Sequence, residues 1–177
     1  MRILRNQRGF SGTVFLLAIL LSLPFLLWSG NRIYKGIMFN KEAGGYLKRA
    51  ADANIVSLTK PELEIAIAYL EEHKMTKGYT SVLYNTPDED IGFWYTNLKS
   101  SLEELRNLPE NATSLEKSNV LMKLRETLLD KTDKGESITV PDGISVFPHN
   151  VAYAWWGWLG LLLFLASIVL FFVSLAQ

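Results

Sequence analysis

Two long apolar runs bracket the polar middle part of the chain. Residues 155–176 carry no charge, and residues 10–28 are apolar or small, with Pro24 inside the run. A helix rises ~1.5 Å per residue, so each run is long enough to cross a hydrocarbon core ~30 Å thick. The pattern predicts transmembrane helices over residues 10–29 and 151–176, with a basic segment over residues 1–9 before the first. Proline is tolerated in membrane helices, so Pro24 does not argue against the first span.

Between the runs, apolar residues recur at helical spacing and predict four amphipathic helices. The first covers residues 41–57, where Gly44 and Gly45 suggest a bend. The second starts at Thr59, with Glu62 three residues on as a capping box, and ends near Lys77 with Gly78 as its left-handed cap.

The third and fourth helices have clear start signals. The third begins at Thr86, with Pro87 in the first helical position and Glu89 completing a capping box. Its stripe is Ile91, Trp94, Leu98, Leu102 and Leu105. The fourth begins at Thr113 and Glu116 and ends at Gly135, and its stripe is Val120, Leu121, Leu124 and Leu128.

Two connections are predicted to be extended. Residues 79–85 are rich in β-branched and aromatic side chains. Residues 135–150 form a return loop close to the membrane, with a turn at Pro141, Asp142 and Gly143 between short extended arms. We therefore expect an all-α fold, in which two transmembrane helices flank an antiparallel four-helix bundle formed by residues 30–150.

The distribution of charge predicts the topology. Arg2, Arg5 and Arg8 precede the first span, so the positive-inside rule places both termini in the cytoplasm and residues 31–150 outside. We expect an uncleaved signal anchor, because Leu27 or Trp28 would occupy the −3 position of a cleavage site. Aromatic residues at the outer ends of the spans are candidates for the membrane interface: Trp28, Tyr153, Trp155, Trp156 and Trp158. Each could instead pack between helices.

The start of the chain allows a second interpretation. Residues 7–11, Gln-Arg-Gly-Phe-Ser, resemble the leader of type IV prepilins, which is cut between the glycine and the phenylalanine. That family has a glutamate at the fifth mature position, where this chain has Val14. Pilins also lack a second hydrophobic span at the C-terminus, which this chain has, so the membrane-anchor interpretation is preferred.

The sequence contains few groups that are typical of catalysis or metal binding. It has no cysteine, which excludes disulfides and thiolate ligands. His73 follows two glutamates at a helix end and does not form a chelate, and Asp88, Glu89 and Asp90 suit the first turn of a helix. The middle part is mildly acidic, which argues against nucleic acid as a partner. We expect no enzymatic activity, no metal and no cofactor.

Two stretches resemble a known group of sequences. Residues 78–95, GYTSVLYNTPDEDIGFWY, and residues 140–148, VPDGISVFP, resemble small, uncharacterised two-span bacterial membrane proteins, cyanobacterial ones among them. The resemblance implies a bacterial inner or thylakoid membrane and brings no activity or site residues. The span–bundle–span plan also resembles the sensory half of chemoreceptors, without their cytoplasmic signalling domain.

These observations favour a non-enzymatic accessory or scaffold protein, anchored in the bilayer, whose bundle binds another membrane or extracytoplasmic protein or its own copies. The alternative is a ligand-sensing module that acts through a separate signalling partner. For either role the tentative binding residues are Tyr79, Tyr84, Trp94 and Tyr95. The stripe of the third helix predicts that Trp94 is buried, whereas an exposed Trp94 would belong to the binding surface.

Overall fold

The fold is mostly helical, with two long apolar helices. The computed structural model describes residues 2–132 and 135–175. The elements are α1 (Arg2–Phe39), a π-helical segment (Asn40–Gly44), α2 (Gly45–Asp52), α3 (Val56–Glu72), α4 (Ile91–Arg106), α5 (Ser114–Leu128), strands β1 (Leu129–Thr132) and β2 (Gly135–Ile138), and α6 (Asn150–Leu175). Short 3-10 helices cover Pro87–Glu89 and Ile144–Val146.

The chain divides into two compact units. The span unit comprises Met1–Tyr34 and Val151–Gln177, and the helical domain comprises Lys35–Asn150. Helices α1 and α6 are long and apolar enough to cross a membrane, judged by length and composition. Helix α1 runs through Pro24 and continues beyond the predicted end at residue 29, as far as Phe39.

The helical domain has one hydrophobic core. Helix α2 packs against α3 and α5, and α4 packs against α3 and α5. The buried residues of α4 are those of the predicted stripe, so that prediction is confirmed: Ile91, Trp94, Leu98, Leu102 and Leu105. On α5 only Leu124 and Leu128 of the predicted stripe are buried, while Val120 and Leu121 are partly buried at its edge.

One of the predicted capping boxes is confirmed. The Thr113 hydroxyl accepts a hydrogen bond from the Glu116 backbone N–H at 3.2 Å, and the Glu116 carboxylate accepts one from the Thr113 N–H at 2.7 Å. This reciprocal pair satisfies N–H groups that have no partner within the helix at its start. Helix α5 therefore begins where the sequence signal places it.

The capping box at Thr59 is wrong. Thr59 lies inside α3, fully buried, and its hydroxyl donates to the Ile55 carbonyl at 3.0 Å. Glu62 does not reach back to Thr59, because it forms an ion pair with Arg49 of α2. Contacts with the core and with α2 thus extend the helix one turn further toward its N-terminus.

The start of the third predicted helix is also displaced. Thr86 and Glu89 do bond through their side chains, but Thr86 precedes a 3-10 helix of which Glu89 is the last residue, and α4 begins only at Ile91. Asp90 is the N-cap, and its carboxylate accepts a hydrogen bond from the Phe93 N–H at 3.1 Å. Asp90 is extended because it pairs across a β-bridge with Tyr79, which delays the helix.

Helix α3 ends earlier than predicted. Its last turn is closed by hydrogen bonds from the Met75 N–H to the Leu70 carbonyl and from the Lys74 N–H to the Glu71 carbonyl. This is a Schellman motif, in which Lys74 takes the left-handed position with φ 58°. Met75 and Leu70 are both buried, so their contact fixes the end of the helix, and Gly78, also left-handed, lies in the next connection.

A small antiparallel sheet replaces the last turns of the fourth predicted helix. Helix α5 ends at Leu128 rather than at Gly135, and β1 pairs with β2 from Leu129↔Ile138 to Thr132↔Gly135. The Leu128 carbonyl accepts the Thr139 N–H at 2.8 Å, so backbone pairing continues directly from the helix end. The predicted turn at Pro141, Asp142 and Gly143 is present, with the Ile144 N–H donating to the Pro141 carbonyl at 3.2 Å.

The predicted bend at Gly44 and Gly45 is a π-helical segment without a break in the helical path. A Cβ on Gly44 would lie 2.8 Å from Asn40 Oδ1 and 3.1 Å from Ile138 Cδ1. A side chain at Gly44 would therefore require the Asn40 and Ile138 side chains to shift.

Candidate interaction sites

The connection between α3 and α4 exposes an uncharged apolar segment, which we call the apolar loop (residues 78–86). Its base is fixed, since the Thr80 N–H donates to the Glu89 carbonyl at 3.0 Å and the Ile91 N–H donates to the Gly78 carbonyl at 2.9 Å. Its tip is open to solvent: Leu83 is 90% exposed and Tyr84 73% exposed. The loop thus presents large side chains from an anchored base.

The tentative binding aromatics lie in three different environments. Tyr79 and Tyr84 are exposed on the apolar loop. Trp94 is 8% exposed, and its indole N–H donates to the Thr139 carbonyl at 2.8 Å, so the prediction that it is buried is confirmed. Tyr95 is partly buried at the edge of the core, and its hydroxyl donates to the Glu71 carboxylate at 2.5 Å.

Glu71 and Lys99 border a groove between α3 and α4. The groove has a volume of about 330 Å³, an apolar floor that includes Ile67 and Leu102, and charged rims. Lys99 donates to Glu71 at 3.0 Å, and Arg106 donates to Glu64 at 2.7 Å. Because hydrogen bonds from Tyr95 and then from Lys99 favour the ionised carboxylate, they lower the pKa of Glu71. Its carboxylate correspondingly raises the pKa of Lys99.

In the span unit, two of the predicted interface tryptophans bond between the helices. The Trp28 indole donates to the Tyr153 carbonyl at 2.8 Å, and the Trp156 indole donates to the Pro24 carbonyl at 3.1 Å. Tyr153 is buried. These three residues therefore pack between α1 and α6.

The two helices approach each other closely at two glycines. A Cβ on Gly157 would lie 2.8 Å from the Trp28 ring, and one on Gly160 would lie 3.1 Å from the Phe25 Cα. Phe25 stacks on Phe164 with ring centroids 5.1 Å apart. Residues later in α6 contact residues earlier in α1: Gly157 lies against Trp28, and Gly160 lies against Phe25. Helices α1 and α6 are therefore antiparallel.

The remaining aromatics of the predicted interface group face outward. Trp155 and Trp158 are both largely exposed on α6. Amphipathic rings with one wet and one apolar side are enriched where a membrane meets water. The geometry therefore separates them from Trp28, Tyr153 and Trp156, which serve helix pairing.

Among the side chains that the structure describes, those of residues 12–130 and 135–175, no group of three or more histidine, aspartate or glutamate residues could hold a metal ion. His73 stacks on Tyr69 with ring centroids 4.0 Å apart and bonds to the Tyr69 carbonyl at 2.9 Å. Its environment is that of a capped helix end.

Sequence reasoning selected the tyrosines of the apolar loop but missed Leu83, its most exposed side chain. The available signal was the absence of charge across residues 78–86, between Lys77 and Asp88. It also missed the pairing of Glu71 with Lys99 and of Glu64 with Arg106, because these partners lie on different helices and no local spacing connects them.

Comparison of the chain with protein-family models, with curated proteins and with solved structures finds no match.

Proposed function

We propose that the protein is a two-pass membrane accessory or scaffold protein, without enzymatic activity, whose helical domain binds another protein of a membrane complex. The observation that carries this proposal is the apolar loop. Val82, Leu83 and Tyr84 are consecutive, large and exposed. Consecutive exposed apolar residues are unfavourable on a free surface and are typical of interaction sites.

The anchored base of the loop supports a role in binding. Thr80 is buried, and backbone hydrogen bonds join the loop to residues 89 and 91. A loop fixed at its base loses less conformational entropy when a partner covers its tip. Leu83 and Tyr84 are thus suited to enter a pocket on a partner protein.

The proposed setting is a bacterial inner or thylakoid membrane with both termini in the cytoplasm and residues 31–150 outside. Two apolar helices of sufficient length and the three N-terminal arginines support this topology. The helices α2–α5 would then form an extracytoplasmic antiparallel four-helix bundle, to which the β1–β2 hairpin is an addition.

Native electrophoresis of gently solubilised membranes tests the proposal. We expect the wild-type protein to migrate in a larger complex, and Leu83→Asp to release a component of that complex. Leu115→Asp on α5 is the matched control, because Leu115 is also an exposed leucine outside the loop. Unchanged migration of Leu83→Asp, or migration of the wild type only as a free monomer, would contradict the proposal.

A second candidate function is ligand sensing through a separate signalling partner. The groove between α3 and α4 favours it, since two cations and two anions surround an apolar floor. A small ligand with both charges would compete with the ion pairs Glu71–Lys99 and Glu64–Arg106. A metabolite panel should then raise the melting temperature of the wild type and not of Arg106→Gln, and no shift with any compound would reject this function.

A further inference from the structure

The chain enters the helical domain beside the C-terminal end of α3. Phe39, the last residue of α1, is buried in the core, and its ring centroid lies 6.2 Å from that of Tyr69 in the last turn of α3. Tyr69 in turn stacks on His73, the residue that follows α3. The end of the domain that receives α1 is therefore also the end at which α3 stops and the connection to α4 begins.

The chain leaves the helical domain beside the base of the apolar loop. A Cβ on Gly78 would lie 3.3 Å from Phe147 Cζ, so the loop begins in contact with the Phe147 ring. Phe147 is three residues before Asn150, at which α6 starts. Three residues of chain span at most about 11 Å. The base of the apolar loop therefore lies next to the segment that leads into the second apolar helix.

The opposite end of the helical domain is far from the apolar loop. Helix α3 has 17 residues and is about 25 Å long. Its ion pairs Glu71–Lys99 and Glu64–Arg106 show that α4 runs back along it, so α4 ends beside the start of α3. Leu115, in the first turn of α5, follows the end of α4 and marks this far end. The apolar loop thus belongs to the end of the domain that is joined to both spans.

The charges beside the apolar loop are of both signs. Lysines precede the loop and acidic residues follow it: Lys74, Lys77, Asp88, Glu89 and Asp90. Segments that enter an anionic lipid surface typically carry clusters of about four or more lysines and arginines. Here two lysines are offset by three acidic residues. A protein surface can present partners for both exposed Lys77 and exposed Asp88, whereas an anionic lipid surface would repel Asp88.

We propose that the protein bound by the apolar loop is an integral membrane protein, whose apolar pocket opens at the outer surface of the same membrane. This inference rests on the proposed function and names the class of its partner. Leu83 and Tyr84 enter the pocket from the membrane end of the helical domain, and Lys77 and Asp88 meet opposite charges on its rim. A soluble protein would have to enter between the domain and the lipid to reach the same side chains.

Energy transfer to labelled lipids tests the position of the loop. Since the chain has no cysteine, one fluorophore can be attached to Leu83→Cys or to Leu115→Cys in the purified full-length protein, reconstituted in vesicles. Both side chains are exposed, at opposite ends of the domain. Acceptors on the lipid headgroups should quench the label at residue 83 at least twofold more than the label at residue 115. Equal quenching would overturn this inference and leave the proposed function standing.

Photo-cross-linking in native membranes tests the class of partner. With p-benzoylphenylalanine in place of Leu83, we expect an adduct with one protein, identified by mass spectrometry, that stays in uncross-linked membranes after alkaline carbonate extraction. The same photo-reactive residue in place of Leu115 should not give this adduct. A linked protein that carbonate releases would overturn the inference alone. An adduct with lipid only, or no adduct, would overturn both the inference and the proposed function.

A charge reversal tests the rim of the pocket. Adding Asp88→Lys to the photo-reactive variant at residue 83 should lower the yield of the protein adduct several-fold, because a basic partner on the rim would then face a like charge. Glu110→Lys is the matched control, since Glu110 is also an exposed acidic residue, in the connection between α4 and α5 at the far end. Equal yields with Asp88→Lys and Glu110→Lys would overturn the assigned contact at Asp88.

Discussion

Trp28 in the span unit and Trp94 in the helical domain make the same hydrogen bond in different surroundings. Each indole N–H donates to a backbone carbonyl at 2.8 Å, of Tyr153 and Thr139 respectively. Trp94 belongs to a core built mainly from leucine and alanine. Trp28 instead packs against a position where only glycine fits, Gly157. The shared bond therefore does not determine what stabilises each region.

The difference follows from the solvent proposed for each region. In water, removal of apolar surface is the main favourable contribution to folding. In lipid, that contribution is absent between helices, so pairing depends on close approach and interhelical hydrogen bonds. The helical domain accordingly uses large aliphatic side chains, whereas the span unit uses Gly157, Gly160 and tryptophan donors.

The largest effect is expected from Trp94→Ala. Removing a buried tryptophan side chain should lower the free energy of unfolding of the helical domain by about 3–5 kcal/mol. Pulse proteolysis of the full-length protein in detergent, across a urea gradient, measures the change. Trp158→Ala, which truncates an exposed tryptophan, is the control and should leave the midpoint unchanged. An unchanged midpoint for Trp94→Ala would show that the core does not depend on this residue.

Gly157→Val should separate the spans, because its side chain would overlap the Trp28 ring. Overpacking of this kind typically costs about 1–3 kcal/mol. Cysteines introduced at Phe15 and Phe171, whose ring centroids lie 5.9 Å apart, report the separation through a short bis-maleimide cross-linker.

The control is Gly30→Val, since a Cβ at Gly30 meets no atom within 4 Å. Cross-linking should fall several-fold with Gly157→Val and remain unchanged with the control. Equal yields for the two variants would argue against close helix approach at Gly157.

Tryptophan-to-phenylalanine substitutions compare the two hydrogen bonds directly. Trp94→Phe leaves the Thr139 carbonyl without its donor in the core and should cost about 1–3 kcal/mol. Trp28→Phe should cost about 0.6 kcal/mol, the usual value for a side-chain hydrogen bond between membrane helices. The proteolysis assay measures the first and the cross-linking yield the second. A larger loss for Trp28→Phe would reverse the comparison.

The smallest effect, a gain, is expected at the end of α3. Lys74 has φ 58°, a conformation that glycine adopts at less cost than lysine. Lys74→Gly should therefore raise the free energy of unfolding of the helical domain by about 0.5–1 kcal/mol. Lys77→Gly is the control outside the Schellman motif and should not stabilise. A lower urea midpoint for Lys74→Gly would contradict the assigned cap.

The sequence predicts well those features that depend on one segment alone. The stripe of α4, the capping box at Thr113 and the turn at Gly143 each follow from local spacing and turn chemistry. The predicted helix starts at Thr59 and Thr86 and the predicted helix end at Gly135 failed where tertiary contacts compete with local signals. Glu62 pairs with Arg49, Asp90 joins a β-bridge, and backbone pairing after Leu128 replaces further helix.

The candidate sites were predictable to a similar extent. Residues 79–85 were predicted to form an extended connection, and Tyr79 and Tyr84 within it were selected as tentative binding residues. The exposure of Leu83 was not predictable, because the composition of a connection does not tell which of its side chains the fold leaves uncovered. The burial of Trp94 was predicted correctly, because Trp94 shares the apolar stripe of α4 with Leu98 and Leu102.

The central claim is that α6 lies in lipid while the helical domain lies in water outside the membrane. Leu165 on α6 and Met122 on α5 are matched in exposure, at 51% and 55%. On intact spheroplasts, a membrane-impermeant maleimide should label Met122→Cys within minutes and should label Leu165→Cys only after denaturation in detergent. Equally rapid labelling of both would place α6 in water, and labelling of Met122→Cys only after lysis would place the helical domain in the cytoplasm.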